Sequence, residues 1–317
     1  MNKYRNNLPQ LNGKTFLTDG GLETTLIFHQ GLDLPHFASF DVLTRPNGKE
    51  IIKDYLLDYI EIARKRKMGF ILESPTWRAS KDWGYKLGFT RDSLDEVNAM
   101  SIAQMEDIRN EHEDHDSPMV ISGCIGPRGD GYSPSIIMSV VEAQNYHGEQ
   151  IKTLSLTAAD LVSAHTINYS NEAMGMALAA KENEIPIAIG FTVETDSKLP
   201  SGETLQEVIE KVDGITDNYP SYYMINCAHP SHFKEVLQKD GLWKNRIMAI
   251  RANASIKSHA ELDECEHLDA GDSWELAHDY RELKNLLPNL NVIGGCCGTD
   301  HTHIEEICEH WFENHEH

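Results

Sequence analysis

The 317-residue chain contains no apolar run near the ~20 residues that a membrane-spanning helix requires, which argues against a bilayer crossing. It is also short of cations. Twenty-eight lysines and arginines stand against fifty aspartates and glutamates, a formal charge of −22. A phosphate backbone needs compensating positive charge, so this balance argues against a nucleic-acid partner, and no basic amphipathic stretch suggests a membrane surface. The opening residues, Met1-Asn2-Lys3-Tyr4-Arg5-Asn6-Asn7, lack the apolar core of a secretory signal. A cytoplasmic protein is expected, in a reducing compartment where cysteines serve metals or catalysis more often than disulfides. Low-complexity and Gly/Ser-rich linkers are missing too, so residues 1–317 read as one domain. G-x-G-x-x-G does not follow the first apolar run. Thr18-Asp19-Gly20-Gly21-Leu22-Glu23-Thr24 stands there, against an open dinucleotide-binding sheet.

What is present alternates. Eight β-rich runs occur at 15–21, 70–76, 119–127, 161–166, 186–194, 222–230, 246–254 and 291–299. Charged, helix-compatible segments lie between them, such as 49–67, 92–113, 140–160, 171–183 and 205–217. This pattern predicts an α/β protein, a closed (β/α)8 TIM barrel with its active site at the C-terminal ends of the strands. Polar residues gather at those ends: Asp19-Gly20-Gly21, Glu73-Ser74-Pro75-Thr76-Trp77, Gly123-Cys124, His165-Thr166, Glu194-Thr195, Asn226-Cys227, Arg251-Ala252-Asn253 and Cys296-Cys297. A packing core would not place polar groups at the same end of eight strands. Residues 256–287 read as one long helix, or as two short ones with a loop at Asp269-Ala270-Gly271-Asp272. Residues 31–40 are a candidate lid segment.

The cysteines carry the chemistry. Cys296 and Cys297 lie among Gly294, Gly295 and Gly298. Neighbouring cysteines close a disulfide with each other only by straining an eight-membered ring, but both reach one soft metal if glycine, which tolerates φ > 0, bends the backbone. Cys227 offers a third thiolate, completing an open zinc site whose fourth position is left for substrate. Cys265 and Cys308 read as small buried hydrophobes, and Cys124 as core or support beneath the mouth. His301, His303, His310, His315 and His317 read as solvated, and His229 as a turn residue. Three thiolates on Zn²⁺ carry a net charge of about −1 and a fourth makes it about −2, which keeps a bound sulfur electron-rich. A free thiol with a pKa of roughly 8.5 is little ionised at neutral pH, whereas coordination deprotonates it. The partner of such a sulfur is a cationic alkyl donor, so the ligand set points to methyl transfer onto a thiol. Trp77, Trp83 and Tyr132 read as packing under the loops, with a cation–π role toward the donor as the second reading.

Thr18-Asp19-Gly20-Gly21, Asn226-Cys227 and Gly294-Gly295-Cys296-Cys297-Gly298-Thr299 together resemble the homocysteine S-methyltransferase family over nearly the whole chain. The resemblance implies a barrel holding zinc through Cys227, Cys296 and Cys297. It implies homocysteine as acceptor, its thiolate becoming the fourth ligand, and methionine as product. It also implies that Asp19 binds the homocysteine ammonium while Gly20 and Gly21 permit close approach, with Glu73, Thr76, His165 and Asn226 in the substrate pocket. Two stretches depart from the family pattern. Glu73-Ser74-Pro75-Thr76-Trp77 replaces Glu-Thr-Asn-Thr-Phe, and His165-Thr166-Ile167-Asn168 replaces Glu-Thr-Ile-Pro. An imidazole in place of that glutamate removes a charge-assisted hydrogen bond of ~1.5–3 kcal/mol to an ammonium, shifting amine recognition to Asp19, Glu73 or Glu194. S-methylmethionine is the first expectation for the donor and S-adenosylmethionine the next, with betaine and folate behind. Competing readings are a barrel alkyltransferase acting on another thiol or a selenol, a redox protein using a Cys296-Cys297 dithiol, and a zinc-binding scaffold. Oligomeric state stays open.

Overall fold

Valine, isoleucine and leucine dominate the eight strands, and nearly every strand residue is buried, with Met248 half-buried. Such continuous apolar runs, rather than alternating ones, suit a parallel sheet covered on both faces. A computed structural model describes residues 2–134, 136–263 and 267–312; Cys265, His315 and His317 lie outside them. The strands are β1 (Phe16–Leu17), β2 (Gly69–Glu73), β3 (Met119–Ile125), β4 (Leu161–Ile167), β5 (Ile187–Phe191), β6 (Tyr222–Asn226), β7 (Ile247–Ala252) and β8 (Val292–Gly295). All pair in parallel, in sequence order, and the sheet closes where Phe16 faces Val292 and Leu17 faces Ile293. All eight predicted strands are there, in a (β/α)8 barrel. Seven of them are shorter than the β-rich runs because polar residues at the run ends leave the ladder and form the mouth, whereas β4 continues one residue past its predicted end, to Ile167.

The side chains divide by register. Phe16, Ile71, Val120, Leu161, Ala188, Tyr222, Met224, Ala249 and Val292 fill the barrel interior with Leu8 beneath them, while residues such as Phe70 and Leu72 pack outward under the helices. The longer helices are α1 (Gly48–Lys65), α2 (Arg91–His112), α3 (Val140–Ser155), α4 (Ser170–Glu182), α5 (Leu205–Thr216), α6 (Ser273–Leu286) and α7 (His301–Phe312). Several of their starts are marked by side-chain caps. Ser139 and Glu142 form a capping box on α3, as Thr204 and Glu207 do on α5. Asp272 caps α6 by accepting from the amides of Trp274 and Glu275. The 256–287 region therefore follows the two-helix reading, with a short helix at His259–Asp263 before the Asp269–Asp272 loop. Among the described residues no helix is long and apolar enough to cross a membrane.

Opposite the mouth, Asp160 immediately precedes β4 and is fully buried. One oxygen accepts from Arg109 Nη1 (2.8 Å) and the Ile121 amide (2.9 Å), and the other from the Tyr4 amide (2.7 Å). This carboxylate ties the N-terminal segment, α2 and β3 to one point. Deleting it would remove the shared acceptor of Arg109 Nη1 and of the Ile121 and Tyr4 amides. Asp160→Ala should cost about 3–5 kcal/mol in urea unfolding, and a loss below 1 kcal/mol would contradict this role.

Candidate active site

The centre of the mouth is built on β7. Cys227 follows β6 and Cys296 follows β8, and both hang on the strand between them: the Cys227 amide donates to the Arg251 carbonyl (3.1 Å) and the Cys296 amide to the Ala252 carbonyl (2.8 Å). The sulfurs of Cys227, Cys296 and Cys297 lie within 4.8 Å of one another. Cys227 and Cys296 are joined as a disulfide, with their Cα atoms 5.4 Å apart. The sequence reading weighed only the strained 296–297 pair and did not anticipate this partnership, which depends on β6 and β8 flanking one strand.

Where the backbone bends also differs from expectation. Gly294 and Gly295 do not occupy the left-handed region; they are required for space. A Cβ on Gly294 would collide with Thr18 Oγ1, and one on Gly295 with Thr299 Oγ1. The left-handed residues are Gly298 (φ 81°) and Cys227 itself (φ 53°). For a residue with a side chain that conformation costs roughly 1–2 kcal/mol, and the surroundings enforce it: the Cys227 carbonyl accepts from Thr192 Oγ1 (3.1 Å) and His259 Nε2 (2.6 Å). His259 Nδ1 faces Glu194 Oε1 at 2.8 Å, so both ring nitrogens meet oxygen atoms. Tyr132 stacks on that ring at 3.8 Å.

Beside the sulfurs lies a chain of buried charges. Asp19 Oδ1 accepts from Arg251 Nη2 (2.7 Å) and Oδ2 from the Tyr55 hydroxyl (3.0 Å). Burial raises the Asp19 carboxyl above its usual range, and Arg251 offsets only part of that. Arg251 also donates to the carbonyls of Gly295 (3.0 Å) and Gly20 (3.1 Å). Glu73 behaves in the opposite way. Burial alone would raise it, but the His165 imidazole, Arg251 and the Ser163 hydroxyl outweigh burial and hold it below its usual range. Ser163 Oγ donates to Glu73 Oε2 at 2.6 Å. Oε1 is approached by His165 Nε2 at 3.5 Å and Arg251 Nη1 at 4.0 Å. Both of those nitrogens are buried without a hydrogen-bond partner.

These groups face one cavity of about 630 Å³, within the range of small-molecule sites. Asp19, Gly20, Gly21, Glu73, His165, Asn226 and the three cysteines all line it. Thr76 does not. Its hydroxyl donates to the Cys124 carbonyl (2.7 Å) and pairs with Ser74 Oγ (2.6 Å), so it anchors the loop after β2 from beneath. Asn226 spends its amide on Thr166, accepting from its amide (2.9 Å) and donating to its hydroxyl (3.0 Å), which fixes that residue at φ 62° with Oγ1 3.3 Å from Cys227 Sγ. Cys124 lines the cavity beside Glu73 and His165, and Cys308 is buried in α7. Burial pushes the Cys297 thiol up to about 11. Trp77, Trp83 and Tyr132 line the cavity too, rather than only packing under loops.

Sequence reasoning assigned no role to Arg251, Tyr55 or His259. Arg251 had a signal, a lone cation ending an apolar strand. Tyr55 is one of several apolar positions on α1, and His259 lies in the irregular 256–287 stretch; neither announces itself.

A closed parallel barrel with three sulfurs and a line of buried charges at the C-terminal ends of its strands has the architecture of a barrel enzyme. The family described as homocysteine S-methyltransferase matches residues 16–311. The chain belongs to this family of methyl-transferring enzymes. It is 24% identical to homocysteine S-methyltransferase 2 of Arabidopsis thaliana, covering 96% of this chain and 95% of that protein. It is also 24% identical to homocysteine S-methyltransferase 1 of Brassica oleracea var. italica, covering 93% of each. Its fold resembles the crystal structures of the Escherichia coli homocysteine methyltransferase MmuM in oxidized and metallated forms, each with a TM-score of 0.73, 18% identity and coverage of 93% of this chain and 95% of that one.

The loop after the sulfurs is pinned at its far end by His303, which was expected to be solvated but is buried. Its Nδ1 faces Asp300 Oδ1 (2.8 Å) and its Nε2 the Ala270 carbonyl (2.8 Å). Burial alone would lower its pKa; the Asp300 carboxylate and the Ala270 carbonyl outweigh burial and raise it above 6.5. The imidazolium is thus favoured in the folded state, and its stabilisation is complete below pH ~6.5 and lost as pH rises through the raised folded value. His303→Gln should therefore cost more stability at pH 6 than at pH 9 in thermal unfolding. Equal losses at both would contradict the ion pair.

Proposed function

We propose that this chain, acting as one barrel unit in the cytoplasm, methylates the sulfur of homocysteine to give methionine, contributing to methionine biosynthesis. A sulfonium serves as donor, S-methylmethionine ahead of S-adenosylmethionine, and zinc is held by Cys227, Cys296 and Cys297. The observation that carries this reading is the meeting of those three sulfurs, from two strand ends, at the wall of a cavity of small-molecule size. The donor set fits the ion: zinc–sulfur bonds of about 2.3 Å in a tetrahedron set sulfurs roughly 3.7 Å apart, inside the 4.8 Å spread of the trio. Two of the three are thiolates only when the Cys227–Cys296 pair is reduced, so loading requires the reduced protein. Bound zinc would supply ionisation of the acceptor thiol at neutral pH.

The remaining work falls to the residues. The acceptor's ammonium is assigned to Glu73, because Asp19 is committed to Arg251 and Tyr55, and Glu194 to His259. Glu73 keeps its charge at neutral pH and offers Oε1, which makes no hydrogen bond among the described residues. Arg251 fixes Asp19 and the carbonyls of Gly20 and Gly295, setting the walls between which the acceptor sulfur lies. The sulfur attacks the donor's methyl carbon in line. One carbon–sulfur bond forms as the sulfonium's breaks, and the electron pair leaves on the departing sulfur as a neutral thioether. The thiol proton goes to solvent. Orientation of the two sulfurs is the protein's main contribution.

Reduced, zinc-loaded protein with carbon-13-labelled homocysteine and S-methylmethionine bearing deuterated methyl groups should yield methionine carrying both labels from the acceptor, while the donor leaves as methionine carrying the deuterated methyl alone. No methionine with either sulfonium donor would overturn the reading. Glu73→Gln should raise the KM for homocysteine at least tenfold and leave the donor KM within twofold; an unchanged homocysteine KM would remove Glu73 from amine recognition. Cys297→Ser should lose zinc and at least a hundredfold in kcat.

A further inference from the structure

Five buried polar atoms without a hydrogen-bond partner belong to residues of the cavity wall: Arg78 Nε, Trp83 Nε1, His165 Nε2, Arg251 Nη1 and Asn253 Oδ1. Four of the five are nitrogens, two of them on guanidinium groups, a surplus matched to an anionic ligand group. Arg251 and His165 already lie within 4.0 Å of Glu73. Arg78 stands apart from that chain. Among the described residues no ion pair includes it, although it is only 9% exposed. Burial lowers its pKa, opposed in part by the charges of Asp130, Glu23 and Tyr132.

Its position is prearranged. The loop that carries it is anchored on both sides: Gln150 Nε2 donates to the Thr76 carbonyl (3.0 Å), Trp77 Nε1 to the His165 carbonyl (3.2 Å) and Asn98 Nδ2 to the Ala79 carbonyl (2.9 Å). The guanidinium carbon lies 4.5 Å from the Trp77 ring and 3.7 Å from the Trp83 ring. Lys86 Nζ lies 3.9 Å from the same Trp83 ring. These indoles therefore hold the protein's own cations and are not free to cage a sulfonium. With its planar group against aromatic rings, an arginine keeps its N–H donors at the edge, where they match the two oxygens of a carboxylate.

We propose that Arg78, clamped by Trp77 and Trp83, is a specificity residue that binds the carboxylate of the methyl donor, so that the donor is an amino-acid sulfonium rather than a simple alkyl sulfonium. This rests on the sulfonium-donor reading above. The assignment to the donor follows from place. The acceptor's sulfur and ammonium are held at the strand ends by the cysteines and Glu73. Arg78 lies five positions beyond Glu73, beside Trp83, whose ring is 6.0 Å from that of the exposed His36 in the 31–40 segment. A donor bound between rim and sulfurs reaches Arg78 with its carboxylate while its methyl groups face inward.

The test compares S-methylmethionine with (3-aminopropyl)dimethylsulfonium, the same cation without its carboxylate. The wild type should prefer S-methylmethionine at least tenfold in kcat/KM. R78Q should raise the KM for S-methylmethionine at least tenfold and abolish the preference, with the homocysteine KM within twofold; R78K should recover part of it. Calorimetric titration of S-methylmethionine into wild type and R78Q, without acceptor, should show the same loss independently of turnover. Equal binding by both proteins, a preference that survives in R78Q, or a rise in the homocysteine KM instead would overturn the proposal. Absence of methyl transfer from any sulfonium by the wild type would overturn the functional reading, while calorimetry would still decide whether Arg78 binds the carboxylate.

Discussion

The mouth of this barrel depends on one buried cation. Arg251 contacts the ends of β1 and β8 through its side chain, approaches Glu73 at the end of β2, and holds Cys227 beyond β6 through its own carbonyl. Burial acts to discharge it, yet Asp19 and Glu73 outweigh burial and keep it charged. The dependence is mutual. Asp19, buried, is ionised only at a cost that Arg251 partly offsets, so loss of the arginine would strand a carboxyl group next to the sulfurs. The geometry of the three cysteines and the charge of the acceptor pocket are thus set by the same side chain.

Much of this was legible in the chain itself. The strands are apolar runs ended by polar residues, and a parallel barrel forces those ends to one face, so the cysteine trio, Asp19, Glu73 and His165 follow from order alone. Ser139 and Asp272 cap α3 and α6, a local signal that the alternation of apolar and charged segments does not use. Other features were not legible because they depend on which strands flank which. Pairing of Cys227 with Cys296 across β7, the Asp19–Arg251 contact spanning most of the chain and the seat of His259 against the Cys227 carbonyl are properties of closure. Thr76 misled for a local reason: its strand-end position suggested the pocket, but its hydroxyl turns to the Cys124 carbonyl. The glycines around the cysteines were read as hinges, whereas Gly294 and Gly295 are small because Thr18 and Thr299 occupy the space a side chain would need.

The His165 departure from the family pattern now has a physical setting. An imidazole near Glu73 contributes to keeping that carboxylate ionised, so one anionic group remains where two would otherwise compete for the same ammonium. Farther out, the indoles that could have attracted a cationic donor hold Arg78 instead. The cavity wall thus carries Glu73 beside Arg251 at the strand ends and Arg78 between two indoles, together with the carboxylates of Glu23, Asp130 and Asp269.

The central claim is that Cys227, Cys296 and Cys297 act together as one metal centre. Zinc X-ray absorption of the reduced protein tests it most directly. The account predicts about one zinc per chain with three sulfur neighbours at about 2.3 Å, rising to four when homocysteine is added. Reduced protein that transfers methyl groups without zinc, or zinc whose sulfur count is unchanged by homocysteine, would contradict it.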